Sequence, residues 1–154
     1  MTTSNTIRYR TLANNEITLI EPLWQQLRHY QAQRTRFHHA HYESADFRSR
    51  CEQLARTDAF ALFVGEASGQ LLAYVITSYR EGVGSIDSIF VSPTARAQGC
   101  GKQLMTLALN WLKEHHIEPV RLLVGEGNED VIAFYEHLGF VPRATQLEWR
   151  AKKA

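Results

Sequence analysis

Apolar and polar positions follow a two-residue period over some stretches of the chain and a longer, helical period over others. Residues 6–12 (TIRYRTL) alternate and predict a first strand. Over residues 20–34 the period lengthens, with Leu23, Trp24, Leu27 and Tyr30 at helical spacing and Pro22 tolerated in the first turn. A second helix is predicted over residues 46–56, its stripe formed by Phe47, Cys51 and Leu54. Residues 60–66, 71–79 and 85–91 read as strands separated by the turns 67–70 and 81–84. Pro93 closes the third of these, because proline cannot continue a ladder. The clearest helix starts at Gly99 and ends near His115 or His116. Its buried face is Leu104, Leu107, Ala108, Trp111 and Leu112. Beyond it, residues 120–124 predict a buried strand and residues 130–138 a short helix stopped by Gly139. Residues 146–150 predict a terminal strand.

The resulting order is β, α, α, β, β, β, α, β, α, β. A strand meander followed by alternating units implies an α/β fold with a mixed, partly parallel sheet and helices packed on it. No repeat, low-complexity stretch or linker divides the 154 residues, so one domain over 1–154 is expected.

Composition narrows the function classes. Net charge is +1, from 17 basic and 16 acidic residues, without the cationic excess of a nucleic-acid binder. A local basic pocket for one phosphorylated cofactor stays open. Cys51 and Cys100 form neither a disulfide framework nor a CxxC pair, which fits a reducing compartment and a cytoplasmic location. Residues 1–15 are polar and carry no signal-like apolar core, and no run approaches the roughly 18 apolar residues of a membrane span.

The candidate chemistry centres on residues 89–102 (IFVSPTARAQGCGK), where a buried strand ends, a short turn follows and two glycines open the strongest helix. N–H groups left free at a helix start, together with the helix dipole, favour an anion. Gly99 and Gly101 remove side chains that would hold a phosphate away, and Arg96 and Lys102 add charge-assisted contacts. This pattern suits a pyrophosphate. The other reading is a glycine turn with no ligand. A dinucleotide fingerprint from Gly99 would require glycine where Leu104 stands, and a Walker loop would require glycine at Arg96 and Ser or Thr at Gln103.

Arg96-x-x-Gly99-x-Gly101, five residues after Val91, resembles the coenzyme A pyrophosphate loop of the GNAT superfamily of N-acyltransferases. Residues 128–140 (NEDVIAFYEHLGF) are similar to that family's second motif, whose helix lies beside the pantetheine arm. The two motifs span about residues 86–140 in the family's order. Val131 departs from the small residue usual at its position. The resemblance implies acetyl-CoA as cosubstrate, bound by Ile89, Phe90, Val91, Arg96, Ala97, Gln98, Gly99, Cys100, Gly101, Lys102, Asn128, Phe134 and Tyr135. It implies direct acetyl transfer to a primary amine of a small molecule or peptide, with no metal, and a homodimer is expected as in many such families. A catalytically silent acyl-CoA-binding module for sensing or assembly is the alternative.

Family usage makes Tyr135 the donor to the departing thiolate. A phenol with a pKa of roughly 10 keeps its proton at neutral pH. The alternative is a core aromatic. Asp87, between apolar neighbours on the strand before the loop, is either the general base or a structural carboxylate, and Glu81 is a weaker candidate base. Strand parity puts Asp87 on one face with Ile89 and Val91. The backbone N–H of Ile89 or Phe90 is expected to serve the oxyanion. Asn128 either caps the next helix or binds the coenzyme. Cys100 is read as contributing only its N–H. His29, His38, His39 and His41 lie in or near residues 35–44, a segment read as part of the acceptor pocket rather than as a metal site. Arg34 and Arg36 nearby make a cationic polyamine less natural there than a smaller or acidic amine.

Overall fold

Residues 6–151 are described by a computed structural model. Their frame is a five-stranded sheet in chain order: β1 (Arg8–Leu12), β2 (Ala59–Ala67), β3 (Gln70–Arg80), β4 (Val83–Val91) and β5 (Val120–Arg121). β1 to β4 pair antiparallel, and β5 joins β4 in parallel, giving the mixed sheet expected from the element order. At the β2–β3 hairpin Ser68 and Gly69 both take left-handed conformations, which match the right-handed twist of the strands.

A 3-10 turn (Asn14–Ile20) leads into α1 (Glu21–Arg34), followed by α2 (His39–Glu43) and α3 (Phe47–Ala55). The α1 helix and α3 cover one sheet face, where Trp24, Phe47, Leu54, Leu62, Tyr74, Ile76 and Phe90 form a buried cluster. The helix over residues 46–56 is observed as α3, capped by the Asp46 carboxylate, which accepts from Arg48 N at 3.1 Å. Such a cap is worth about 1 kcal/mol. The one-turn α2 has no buried residue, so no periodicity announced it.

The other face carries α4 (Cys100–Glu114) and α5 (Ile132–His137). The α4 helix buries Leu104, Met105, Ala108 and Leu112 completely against Phe63, Val75 and Ile86. Full burial contributes roughly 1.5–3 kcal/mol for each large side chain, and Leu104→Ala would cost about 2–5 kcal/mol.

Three expectations are corrected. β5 runs only over Val120–Arg121 rather than residues 120–124, and Leu123 is 96% exposed. It parts from β4 after Ser85 and, as the last strand of the sheet, has no neighbour on its outer side. The strand over residues 146–150 is absent. Residues 141–151 make no backbone hydrogen bond among the described residues, and Val141, Leu147 and Trp149 stand in solvent. Strand propensity without an adjacent strand does not make a ladder. Finally, a bulge opposite Ile76 and Thr77 leaves Asp87 without a Cα partner and resets the parity of β4. Ile86 therefore shares the α4 face with Ile89 and Val91, while Asp87 bonds Ser78, which has the parity of Tyr74 and Ile76 on the α1 face. Among the described residues no helix is long and apolar enough to cross a membrane.

Candidate active site

Between β4 and α4 the main chain forms a cradle. Ala95 N and Arg96 N bond Ser92 O and Pro93 O, and the next bonded N–H is that of Gln103, to Gly99 O. The six N–H groups of residues 97–102 make no hydrogen bond among the described residues. Ala97 (φ 65°) and Gly99 (φ 77°) are both left-handed, which turns successive N–H groups toward one concavity. Glycine holds that conformation freely, whereas at Ala97 it costs roughly 1–2 kcal/mol. Gly101 has a different reason from the one its sequence context suggested. A Cβ there would come within 3.3 Å of the Phe134 ring, so this glycine lets α5 pack against the start of α4 and brings the two motifs together.

The side chains of the turn play unequal parts. Lys102 is exposed. Arg96 folds back, its Nε donating to Val91 O at 3.2 Å and its guanidinium lying over Tyr30 and Phe90. The Gln98 amide donates to Thr94 O. Cys100 is buried and its thiol points to Ala95 O at 3.5 Å. Burial, and then a hydrogen bond with that thiol, push the Tyr9 hydroxyl up to about 12. Cys100 thus packs beneath the turn, and its backbone N–H makes no hydrogen bond among the described residues.

Beyond Ser85, β4 has no strand on the β5 side, so the N–H and C=O groups facing that gap over residues 86–91 have no ladder partner there. With β5 gone, nothing in the sheet separates the α1 face from the α4 face at this point. On the α1 side is Asp87, half-buried, accepting from Ser78 Oγ at 2.7 Å and Ser85 Oγ at 3.2 Å. Burial raises its pKa, and the two hydroxyls and the nearby charge of Arg50 only partly oppose this. On the α4 side is Tyr135, its ring against Phe134 and Phe140. Burial raises its pKa as well, and its hydroxyl has no hydrogen-bond partner among the described residues. The Asn128 side chain does not cap the following turn, and its Oδ1 is buried without a partner. Glu81 is exposed in the β3–β4 turn, at the far end of β4 from the cradle.

The segment after β5 is clasped to the loop after α1. The Glu126 carboxylate accepts from Thr35 Oγ1 at 2.6 Å, from Arg36 N at 3.1 Å and from Phe37 N at 3.3 Å. These bonds, the Thr35 hydroxyl foremost, hold its pKa below the usual carboxylate range. Arg34 donates to Gly127 O and pairs with Asp130 at 2.9 Å, so its charge is already matched. Sequence reading missed Glu126; Gly125 and Gly127 on either side were the available signal. Both approach the α1–α2 region so closely that a Cβ would overlap Tyr42 or Arg34. A cleft of about 460 Å³ opens between α1 and the end of β4, lined by His29, Tyr30, Gln33, Phe90, Pro93 and Arg96. Among the described residues no group of three or more His, Cys, Asp and Glu side chains is placed to hold a metal.

The free edge of β4 beyond Ser85 thus lies next to a helix-start cradle of unbonded N–H groups. A model of the acetyltransferase (GNAT) family matches residues 24–140, and the chain belongs to that family. It is 31% identical over 97 residues to a mycothiol acetyltransferase of Streptomyces avermitilis, covering 62% of this chain and 32% of that one. It is 30% identical over 103 residues to an uncharacterized N-acetyltransferase of Methanocaldococcus jannaschii, covering 62% and 46%. The chain thus spans about a third of the length of the mycothiol acetyltransferases it matches. In fold it is similar to a putative acetyl transferase from Pyrococcus furiosus (TM-score 0.75, 21% identity, 95% and 100% covered). It is also similar to the aminoglycoside N-acetyltransferase AAC(6')-Iy in complex with CoA (TM-score 0.71, 18% identity, 99% of each chain).

Proposed function

We propose that the chain, acting as one domain, is an N-acetyltransferase that moves an acetyl group from acetyl-CoA to a primary amine by direct transfer. The carrying observation is the run of six unbonded N–H groups at residues 97–102 beside the unpaired edge of β4. Acetyl-CoA supplies the activated acetyl thioester. Residues 97–102 and Lys102 hold its diphosphate, Asn128 offers its unpartnered Oδ1, and the free edge of β4 lines the arm.

An alkylamine, with a pKa of roughly 10.4, is protonated at neutral pH and must lose a proton before its lone pair can attack. Asp87, its pKa raised by burial, takes that proton directly or through a water. As the new C–N bond forms, a β4 N–H at Ile89 or Phe90 stabilises the oxyanion. As the C–S bond breaks, Tyr135 donates its phenolic proton to sulfur, the high pKa of the phenol keeping it protonated until then, and the cationic nitrogen of the adduct gives up its second proton, which restores the phenol. The cleft beside Tyr30 and Phe90 admits the acceptor from the α1 side.

Release of free coenzyme A from acetyl-CoA with an amine panel tests this reading. Tyr135→Phe should lower kcat by about 10²–10⁴-fold with acetyl-CoA binding intact. Tight binding without turnover on any amine would instead favour a silent binding module.

The unpaired cysteines support a cytoplasmic location. The reading also includes a homodimer. Residues 141–151 carry exposed apolar side chains (Trp149 is 86% exposed) and unpaired backbone, and β5 leaves an unpaired sheet edge beside exposed Leu123. Each copy holds both halves of a missing pairing, which two copies can satisfy reciprocally. Light scattering should give a dimer that becomes monomeric when Leu147 and Trp149 are both changed to Asp. A wild-type monomer at every concentration would sink the dimer.

A further inference from the structure

Among the described residues, two arginines on the α1 side have no counterion. The Arg28 guanidinium lies 4.9 Å from the Trp24 ring centroid and 5.8 Å from that of Tyr42. Its Nε is buried without a hydrogen-bond partner, and so is the Nε of Arg50 on α3. The one hydrogen bond Arg28 makes among the described residues is a long contact to Gln31 Oε1 at 3.5 Å. Ion pairs among the described residues join Arg10 to Glu66, Arg34 to Asp130, His38 to Glu148 and Arg48 to Glu52, and neither Arg28 nor Arg50 belongs to one.

The two charges lie close enough to repel. Burial, and then the charge of Arg50, pull the Arg28 pKa down. Asp87 feels Arg50 too, but its oxygens accept from Ser78 and Ser85 and make no ion pair with either arginine. Buried guanidinium groups are normally paired, because an unmatched charge loses hydration without return. Here two half-buried guanidinium groups feel each other's charge near a candidate base, each with a buried Nε that has no partner among the described residues. That geometry suits a planar or tetrahedral oxyanion, since bidentate guanidinium contacts to carboxylate or phosphate are the strong ones.

We propose that Arg28 and Arg50 form an anion subsite near Asp87 on the α1 side of the sheet, apart from the residues that line the 460 Å³ cleft, so that the acceptor is an amine that also carries a carboxylate or phosphate. The subsite anchors the acidic end of that molecule and leaves its amine free to face Asp87. This rests on the acetyltransferase reading above and names its substrate class. It also replaces the acidic preference read from Arg34 and Arg36 in the sequence, since Arg34 is already paired.

The test uses amines matched in pairs that differ by the anionic group: glycine against glycinamide, β-alanine against its amide, and phosphoethanolamine against ethanolamine. The acidic member of at least one pair should show kcat/KM roughly 10- to 100-fold higher, the range of one or two charge-assisted hydrogen bonds. Arg28→Gln and Arg50→Gln should both raise the KM for the acidic amine by a similar factor with the KM for acetyl-CoA near wild type; the neutral-amine control is read on Arg28→Gln alone, because Arg50 also lowers the pKa of Asp87. Arg50→Lys should restore part of the preference. The carboxylate and phosphate pairs separate the two forms of the anion.

A second readout needs no turnover. Acidic amines should raise the melting temperature of the wild type and not that of either Gln variant, and Arg50→Gln should itself melt no lower than wild type, because it removes a repulsion. Preference for neutral or cationic amines, or equal loss with both members of a pair, would overturn the subsite. If no amine is acetylated but the acidic amines still stabilise only the wild type, the transferase reading fails and the subsite stands.

Discussion

The turn between β4 and α4 holds a run of unbonded main-chain N–H groups, oriented by the backbone torsions of Ala97 and Gly99. Across the sheet, the α1 face presents side chains: Asp87 from β4, Ser78 from β3, Arg28 from α1, Arg50 from α3 and Tyr42 from α2. Every residue type but proline has a backbone N–H, so the first site constrains conformation more than identity. The second depends on the identity of nearly every residue in it. On the proposed reading, one fold thus holds a fixed donor on one side and an adjustable acceptor pocket on the other.

The largest expected effect lies on the side-chain half. Asp87→Asn should lower kcat by about 10²–10⁴-fold. Its stability should move the other way. Burial raises the folded pKa of Asp87, so the folded chain keeps that proton to a higher pH than the unfolded chain does. The stability this group contributes is complete below its unfolded pKa and declines as pH rises through the folded one. Asp87→Asn escapes the decline and should melt higher than wild type at neutral pH, the two curves converging in acid. A variant that melts lower at neutral pH would make Asp87 a structural anchor.

On the main-chain half, backbone-altering and side-chain substitutions should separate. Gly99→Val forces a β-branched residue to φ 77° and should weaken acetyl-CoA binding by roughly 100-fold. Lys102→Ala removes one exposed cation and should cost less than about tenfold. Titration calorimetry of both variants would erase the contrast if their losses were equal.

The smallest effect is expected at Glu126, which joins the halves. Its carboxylate is depressed by Thr35 and backbone N–H groups, so what it contributes is present above the unfolded pKa and lost as pH falls through the folded one. Glu126→Gln should raise the acceptor KM a few-fold, by an order-of-magnitude argument from one weakened charge-assisted bond. It should also flatten the acid limb of the melting curve. An unchanged acid limb would remove Glu126 from the clasp.

The main-chain half was legible because its determinants are local: a strand end, two glycines and the start of an amphipathic helix within fourteen consecutive residues. The side-chain half was legible only in fragments. Asp87 stood out as a carboxylate in an apolar strand, but the bulge beside Ile86 moved it to the opposite face from the one alternation gave. Arg28 and Arg50 carried no signal, since their meeting depends on how α1 and α3 lie on the sheet. Residues 146–150 had the composition of a strand, yet pairing is decided by a neighbour, which composition does not contain.

The segment 141–151 has a consequence at the level of abundance. If two copies complete each other's sheets, the free energy of each fold includes an association step, and its apparent melting temperature climbs with protein concentration. At low expression the unpaired edge of β5 would then be open to any other extended chain, and dosage becomes a determinant of how long each molecule survives.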